Sequence, residues 1–190
     1  MGDLFGKMEY CALAGSMEDD QSLSELLQYM ADPAWQVRYS AVIALGERRR
    51  REAIPCILGL LKDENMQPVY SQPPGIKSGD AGSNIPFPIH FPQGITEEIK
   101  EAWRRRGRIK QEACLALGKI GHAETGILEV LHRYAVDQRE DYMVRAAACR
   151  ALGQLGCRES VPILEQACED GEWCTRTEAA KALAQIEIRI

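Results

Sequence analysis

An eleven-residue segment, VRYSAVIALGE (Val37 to Glu47), returns as IKQEACLALGK (Ile109 to Lys119), as VRAAACRALGQ (Val144 to Gln154) and, decayed, as TRTEAAKALAQ (Thr175 to Gln185). Self-similarity of this kind is the signature of a stacked repeat protein and constrains the fold before any other feature. Gly118 and Gly153 are 35 residues apart, and Gly46 and Gly118 are 72 apart, which is one repeat plus 37 extra residues. The last repeat is shortened, with 31 residues from Val144 to Thr175. At about 100° per residue, positions one, five, eight and nine of each copy share one helical stripe. In the first copy these are Val37, Ala41, Ala44 and Leu45, in the second Ile109, Ala113, Ala116 and Leu117, in the third Val144, Ala148, Ala151 and Leu152. The Gly after the Leu is expected in the last turn, where helices commonly end. Before each copy lies a second apolar-periodic segment: LSELLQYM, AIPCILGLL, ILEVLHRYA and VPILEQAC. Pro55 and Pro162 sit near two of these starts, where a missing N–H costs nothing.

The chain therefore reads as helix pairs. Residues 3–14 form a lone amphipathic helix capping the open end of the stack, and residues 22–31 and 34–47 form the first full pair. Ser22 is a candidate N-cap, with Glu25 three residues on completing a capping box. Residues 52–62 open the second pair. Regularity then stops: six of the nine prolines lie between Glu64 and Gly94, a composition that neither helix nor central strand tolerates. Within this insertion (64–95), Ile85, Phe87, Ile89 and Phe91 alternate with Pro and His, as an extended strip with one apolar edge would. That strip either folds back over the stack or presents to a partner. A long helix follows from Thr96, interrupted or bent near Gly107, and later pairs are expected at 124–136 with 139–155 and at 159–170 with 173–187.

Asp, a short turn, Val-Arg, two residues, Ala, then Ala-Leu-Gly: this pattern, over residues 22–63 and 98–187, resembles HEAT repeats of the short bacterial phycobilisome-lyase-like type. The resemblance implies an all-α fold, a right-handed α-solenoid of about four helix pairs forming one domain over 1–190, with the insertion inside the second pair. It also implies that the Val-Arg helices line the concave face. Asp and Arg should form a ladder along the turns, supplied by Asp32 with Arg38, Asp63 with Lys110, Asp137 with Arg145, and Asp170 with Arg176. Lys110 departs from the usual Arg, and Thr175 and Ala184 replace Val and Gly in the last copy, as in a terminal capping repeat.

Function is less legible. The net charge of −5 argues mildly against general nucleic-acid binding. No apolar run is long enough to span a membrane, and the N-terminus lacks a secretory signal. Seven cysteines without CxxC spacing suit unpaired thiols in a reducing cytoplasm rather than a zinc site. No catalytic, metal or cofactor motif is present. The face opposite each core stripe is carried by positions three and seven: Tyr39 and Ile43, Gln111 and Leu115, Ala146 and Arg150, Thr177 and Lys181. Its first half is apolar and its second half basic, and an apolar patch on a polar face marks a contact surface. The favoured reading is a non-catalytic scaffold for another protein. Tyr39, Ile43, Gln111 and Leu115 would anchor a partner segment, Arg150 and Lys181 would steer it, and Phe87, Ile89 and Phe91 would clamp it or compete with it. By resemblance alone, a subunit of an E/F-type phycobilin lyase or a chromophore-protein assembly factor is the alternative. The second alternative is nucleic-acid binding through two clusters, Arg48 to Arg51 and Arg104, Arg105, Arg106, Arg108 with Lys110.

Overall fold

A computed structural model describes residues 4–62 and 96–188; the side chains of 97–104 and of 125 lie outside that description. The described residues form α1 (Leu4–Ala14), α2 (Asp20–Tyr29), α3 (Trp35–Arg48), α4 (Ile54–Lys62), α5 (Glu97–Ile120), α6 (Thr125–Val136), α7 (Tyr142–Leu155), α8 (Val161–Ala167) and α9 (Trp173–Ile188), with no strand among them. The architecture is an all-α solenoid. A principal layer runs α1, α3, α5, α7, α9, each helix packed on the next, and α2, α4, α6 and α8 back it. The insertion 64–95, with Phe87, Ile89 and Phe91, lies outside the described residues.

The repeated stripe becomes the core between the layers. Val37, Ala41, Leu45, Ile109, Ala113, Leu117, Val144, Ala148 and Leu152 are all essentially sealed from solvent. Each buried Leu contributes about 1.5–3 kcal/mol of transfer free energy. Alanine at positions five and eight lets neighbouring principal helices approach closely.

The repeat glycines do something other than end helices. A Cβ on Gly46 would meet Ala116 Cβ at 2.9 Å, one on Gly118 would meet Ala151 Cα at 2.8 Å, and one on Gly153 would meet Ala182 Cα at 2.7 Å. Each Gly is thus the seat for an Ala of the next principal helix. Gly15 continues the series, facing Ala44 Cα at 3.3 Å, which puts α1 in register as an abbreviated first repeat. The left-handed positions that terminate the helices come three residues after each Gly: Arg49 (φ 54°), Gly121 and Gly156 (both φ 72°).

Two other expectations are corrected. The N-cap of α2 is Asp19, not Ser22: its carboxylate accepts from Ser22 N at 2.7 Å and from the Ser22 hydroxyl at 2.6 Å. A carboxylate at a helix N-terminus adds charge to the capping bond, and Ser22 Oγ is left to accept from Arg48 Nη1 at 2.6 Å. Helix α5 runs unbroken through Gly107. That residue faces Asp141, whose Oδ2 would lie at an ordinary 3.6 Å from an added Cβ.

The Asp-Arg ladder forms with a different pairing. Arg38 Nη1 donates to the main-chain carbonyls of Asp32 (2.7 Å) and Pro33 (3.1 Å), and Arg176 Nη1 to those of Asp170 (2.8 Å) and Gly171 (2.9 Å). The carboxylates are free to take the basic residue of the preceding principal helix: Lys7 on Asp32 at 2.5 Å, and Arg145 on Asp170 through two bonds of 2.8 and 2.9 Å. In the turn between α6 and α7, Glu140 rather than Asp137 holds this position. It receives Lys110 Nζ at 2.5 Å, both groups being buried, while Asp137 is taken by exposed Arg139. The Lys that departs from the pattern is matched by a longer carboxylate. Asp63, the partner expected for Lys110, lies outside the described residues.

Candidate functional site

Successive principal helices run parallel. Thr175 Oγ1 donates to Tyr142 O at 3.3 Å near the start of α7 and α9, and Gly153 meets Ala182 near their ends. Positions three and seven therefore line up across the layer, on the side away from the backing helices. Between α5, α7 and α9 they bound a groove of about 200 Å³, lined by Gln111, Leu115, Met143, Ala146, Ala147, Arg150, Trp173, Cys174, Thr177, Glu178 and Lys181. Four of the residues expected at a contact surface meet here: Gln111, Leu115, Arg150 and Lys181.

Ile43 lies elsewhere. It lines a second groove of about 430 Å³ between α1 and α3, with Met8, Cys11, Ala12, Gly15, Ser16, Ser40, Ala44 and Glu47. The only charge there, Glu47, is bonded to Lys119 at 2.6 Å. Tyr39 borders neither groove. Its ring stands edge-on to Trp35 at 6.3 Å, and burial, reinforced by Glu112, raises its phenol above the usual range. The apolar half of the expected ridge is thus split by the α3–α5 seam.

Sequence reasoning missed five groove residues, Met143, Ala147, Trp173, Cys174 and Glu178, and three of them shape its chemistry. Trp173 (50% exposed) and Met143 (38% exposed) are the large apolar side chains displayed at its rim. Both precede or begin the repeated segment, where the stripe argument does not reach. Glu178 is the third. Its Oε1 accepts from Lys181 Nζ at 2.7 Å, and its Oε2 lies 3.6 Å from Arg150 Nε.

Cys174, on the groove's lining, has its thiol pushed up by burial, with Glu172 and Glu178 nearby. Elsewhere His132 Nε2 and Ser160 Oγ are 2.9 Å apart. Ser160 is fully buried, and burial lowers His132. This bond ties α6 to the 3-10 turn Arg158–Ser160 ahead of α8. Among the described residues no cluster of His, Cys, Asp or Glu could hold a metal ion, and no helix is long and apolar enough to cross a membrane.

Four members of the two basic clusters are engaged within the fold. Arg48 bonds Asp19 O at 2.7 Å and Ala14 O at 3.3 Å, tying the α1–α2 loop to α3. Arg50 pairs with Glu52 at 2.8 Å. Lys110 is buried against Glu140, and the Arg105 guanidinium lies 5.9 Å from the Trp35 ring centre.

No curated protein matches the sequence. Among solved structures, the chain is similar to human deoxyhypusine hydroxylase in complex with glycerol (18% identity, 98% of this chain and 81% of that chain covered, TM-score 0.36). It is also similar to an engineered protein (14% identity, 97% and 90% covered, TM-score 0.39). The family profile described as HEAT repeats matches residues 11–69 and 99–184. With the two-layer stack, the glycine seats and the turn ladder following the same period, the chain belongs to the HEAT-repeat family.

Proposed function

We propose that this protein is a non-catalytic interaction scaffold, holding a segment of a partner protein across α5, α7 and α9. One observation carries the reading: Trp173, Met143 and Leu115 converge on a groove spanning three adjacent helices and rimmed by Arg150, Glu178 and Lys181. Aromatic residues, Met and Arg are the types enriched where proteins meet, and a small apolar centre with a polar rim is the usual anatomy. The groove is smaller than the roughly 300–1,000 Å³ of small-molecule sites, so it suits the side chains of a docked segment. The α1–α3 groove is larger, but its lining offers no free charge to orient a ligand.

The test is affinity purification from the native host with wild-type chain, with Trp173→Ala plus Met143→Ala, and with Ile43→Ser as a control in the other groove. The partner should be captured by wild type and by the Ile43 variant, and lost with the Trp173/Met143 variant. Because Trp173 and Met143 are exposed, thermal unfolding should stay close to wild type. Undiminished capture by the Trp173/Met143 variant would remove the groove from consideration. Loss with the Ile43 variant alone would move the site to α1 and α3.

A further inference from the structure

The groove has two chemically distinct ends. On α7, Met143 and Arg150 are seven residues apart, and on α9 Trp173 and Lys181 are eight apart. With a rise of 1.5 Å per residue, each helix sets a large apolar side chain about 11 Å from a cation. The two helices are parallel, so the apolar residues sit together at one end and the cations at the other. Arg150 is 58% exposed and Lys181 61%, while the carboxylate shared between them, on Glu178, is 21% exposed.

Charge settles the partner's sign. Arg150 and Lys181 against Glu178 leave one surplus positive charge, on a chain whose net charge is −5. A guanidinium carries five donors and an ammonium three, so one carboxylate leaves most of them unused. Glu178 is itself a bound carboxylate, supplied by the chain, and displays the chemistry this end accepts. A nucleic acid would meet Glu178 and an apolar floor instead of a basic groove.

Resting on the scaffold reading above, we infer that the groove takes an acidic amphipathic segment. Its bulky apolar residue seats against Leu115, Met143 and Trp173. Its carboxylate binds Arg150 and Lys181 in competition with Glu178. The separation of about 11 Å equals two helical turns or three extended residues, which fixes the spacing of acid and apolar residue in the partner. Glu178 acts as an internal competitor that weakens binding and excludes segments bringing only an apolar residue.

The experiment is selection from a random peptide display library on the full chain, on Arg150→Glu with Lys181→Glu, and on Glu178→Gln. Wild type should enrich peptides with Asp or Glu at that spacing from Trp, Phe or Leu. The charge-reversed variant should lose these and enrich Lys or Arg instead. A selected peptide made synthetically should bind Glu178→Gln about fivefold more tightly, the scale of one exposed ion pair. Recovery of no peptide, or of peptides without acidic bias that bind the reversed variant unchanged, would overturn the inference. If such neutral peptides still need Trp173, the groove survives as a scaffold site and only its acidic specificity fails. Tighter binding of single-stranded oligothymidylate than of any selected peptide, abolished by the same reversal, would overturn it in favour of nucleic acid.

Discussion

Arg49 occupies the left-handed region at φ 54° and ψ 29°, where its equivalents three residues after the repeat glycine are Gly121 and Gly156. A side chain in this region costs about 1–2 kcal/mol, part of which glycine returns through its larger unfolded-state entropy. Arg49→Gly should therefore stabilise the chain by about 0.5–1 kcal/mol, read as a higher denaturant midpoint at unchanged slope. A loss of stability would mean that the Arg49 side chain does more than its exposed position indicates. Asp141 carries a second residue-scale consequence. It caps α7, accepting from Met143 N at 2.7 Å, yet burial, reinforced by Glu140, raises its carboxyl from the ordinary 3.8 to about 6. Between those two values the folded chain holds a proton that the unfolded chain has released, so this group's contribution to stability falls as pH rises through the window. At neutral pH the buried charge costs on the order of 2–3 kcal/mol. Asp170 and Asp32 are shifted the other way, burial being outweighed by Arg145 for the first and Lys7 binding directly to the second. Only a variant comparison isolates Asp141. Asn keeps the cap, so Asp141→Asn should be more stable than wild type near neutral pH, with the advantage shrinking through the window and gone at about pH 3.5, below the ordinary carboxylate value, by urea titration at both ends. Equal destabilisation at both would assign the carboxylate a role beyond capping.

Between elements, the recurring event is a Gly of one principal helix against an Ala of the next, and it predicts opposite signs for one substitution. Gly153→Ala would drive a Cβ to 2.7 Å from Ala182 Cα, and overpacking of that kind costs about 1–3 kcal/mol. Gly59, exposed on α4, has nothing within 4 Å of an added Cβ, so Gly59→Ala should gain about 0.5–1 kcal/mol of helix propensity. Matching shifts for the two variants in calorimetry would contradict this. The same reasoning explains Ala184: it holds the Gly position of α9, is exposed, and no described helix packs on it. The Lys110–Glu140 pair gives a second element-scale test. Lys110→Met alone strands a buried carboxylate and should cost about 3–5 kcal/mol, whereas Lys110→Met with Glu140→Leu should recover most of that. Most of this architecture was legible in sequence, because a recurring apolar stripe at a spacing near 35 residues admits few folds. The errors over the glycines and the ladder came where the partner of a residue lies in the next repeat. Ala-Leu-Gly reads locally as a helix end, and Asp before Arg reads locally as an ion pair. Only stacking reveals that Gly153 serves Ala182 and that Asp170 serves Arg145. At the groove, Leu115 and Arg150 followed from helical phase, but Trp173 and Met143 lie at or before the edge of the repeat, where periodicity is silent.

Over the whole molecule, the main helix contacts among the described residues join neighbouring repeats, so stability is approximately a sum of local terms and need not be uniform. Helix α7 is enclosed by α5, α6 and α9, and Val144 to Cys149 with Ala151 to Gly153 are buried, leaving Arg150 between them exposed. Its Arg145 is held by Asp170 and by the Glu140 carbonyl, all sealed from water. Among the described residues, helix α1 has one principal neighbour and buries only Cys11 and Ala14, while Phe5 (74% exposed) and Leu13 (58% exposed) face solvent. An end helix with so little burial can open without unfolding the rest, whereas opening α7 requires separating both sides of the stack and uncovering a paired buried arginine. Native-state hydrogen exchange should therefore rank the amides of α7 as the slowest, exchanging only through global unfolding. Those of α1 should exchange several kcal/mol below that limit and with weak denaturant dependence. Asp170→Asn should then bring α7 toward the others, since Arg145 loses its charged partner, while leaving α1 exchange unchanged. Uniform protection along the chain would show that the stack unfolds as one cooperative block, and that α1 is bound more firmly than its two buried residues account for.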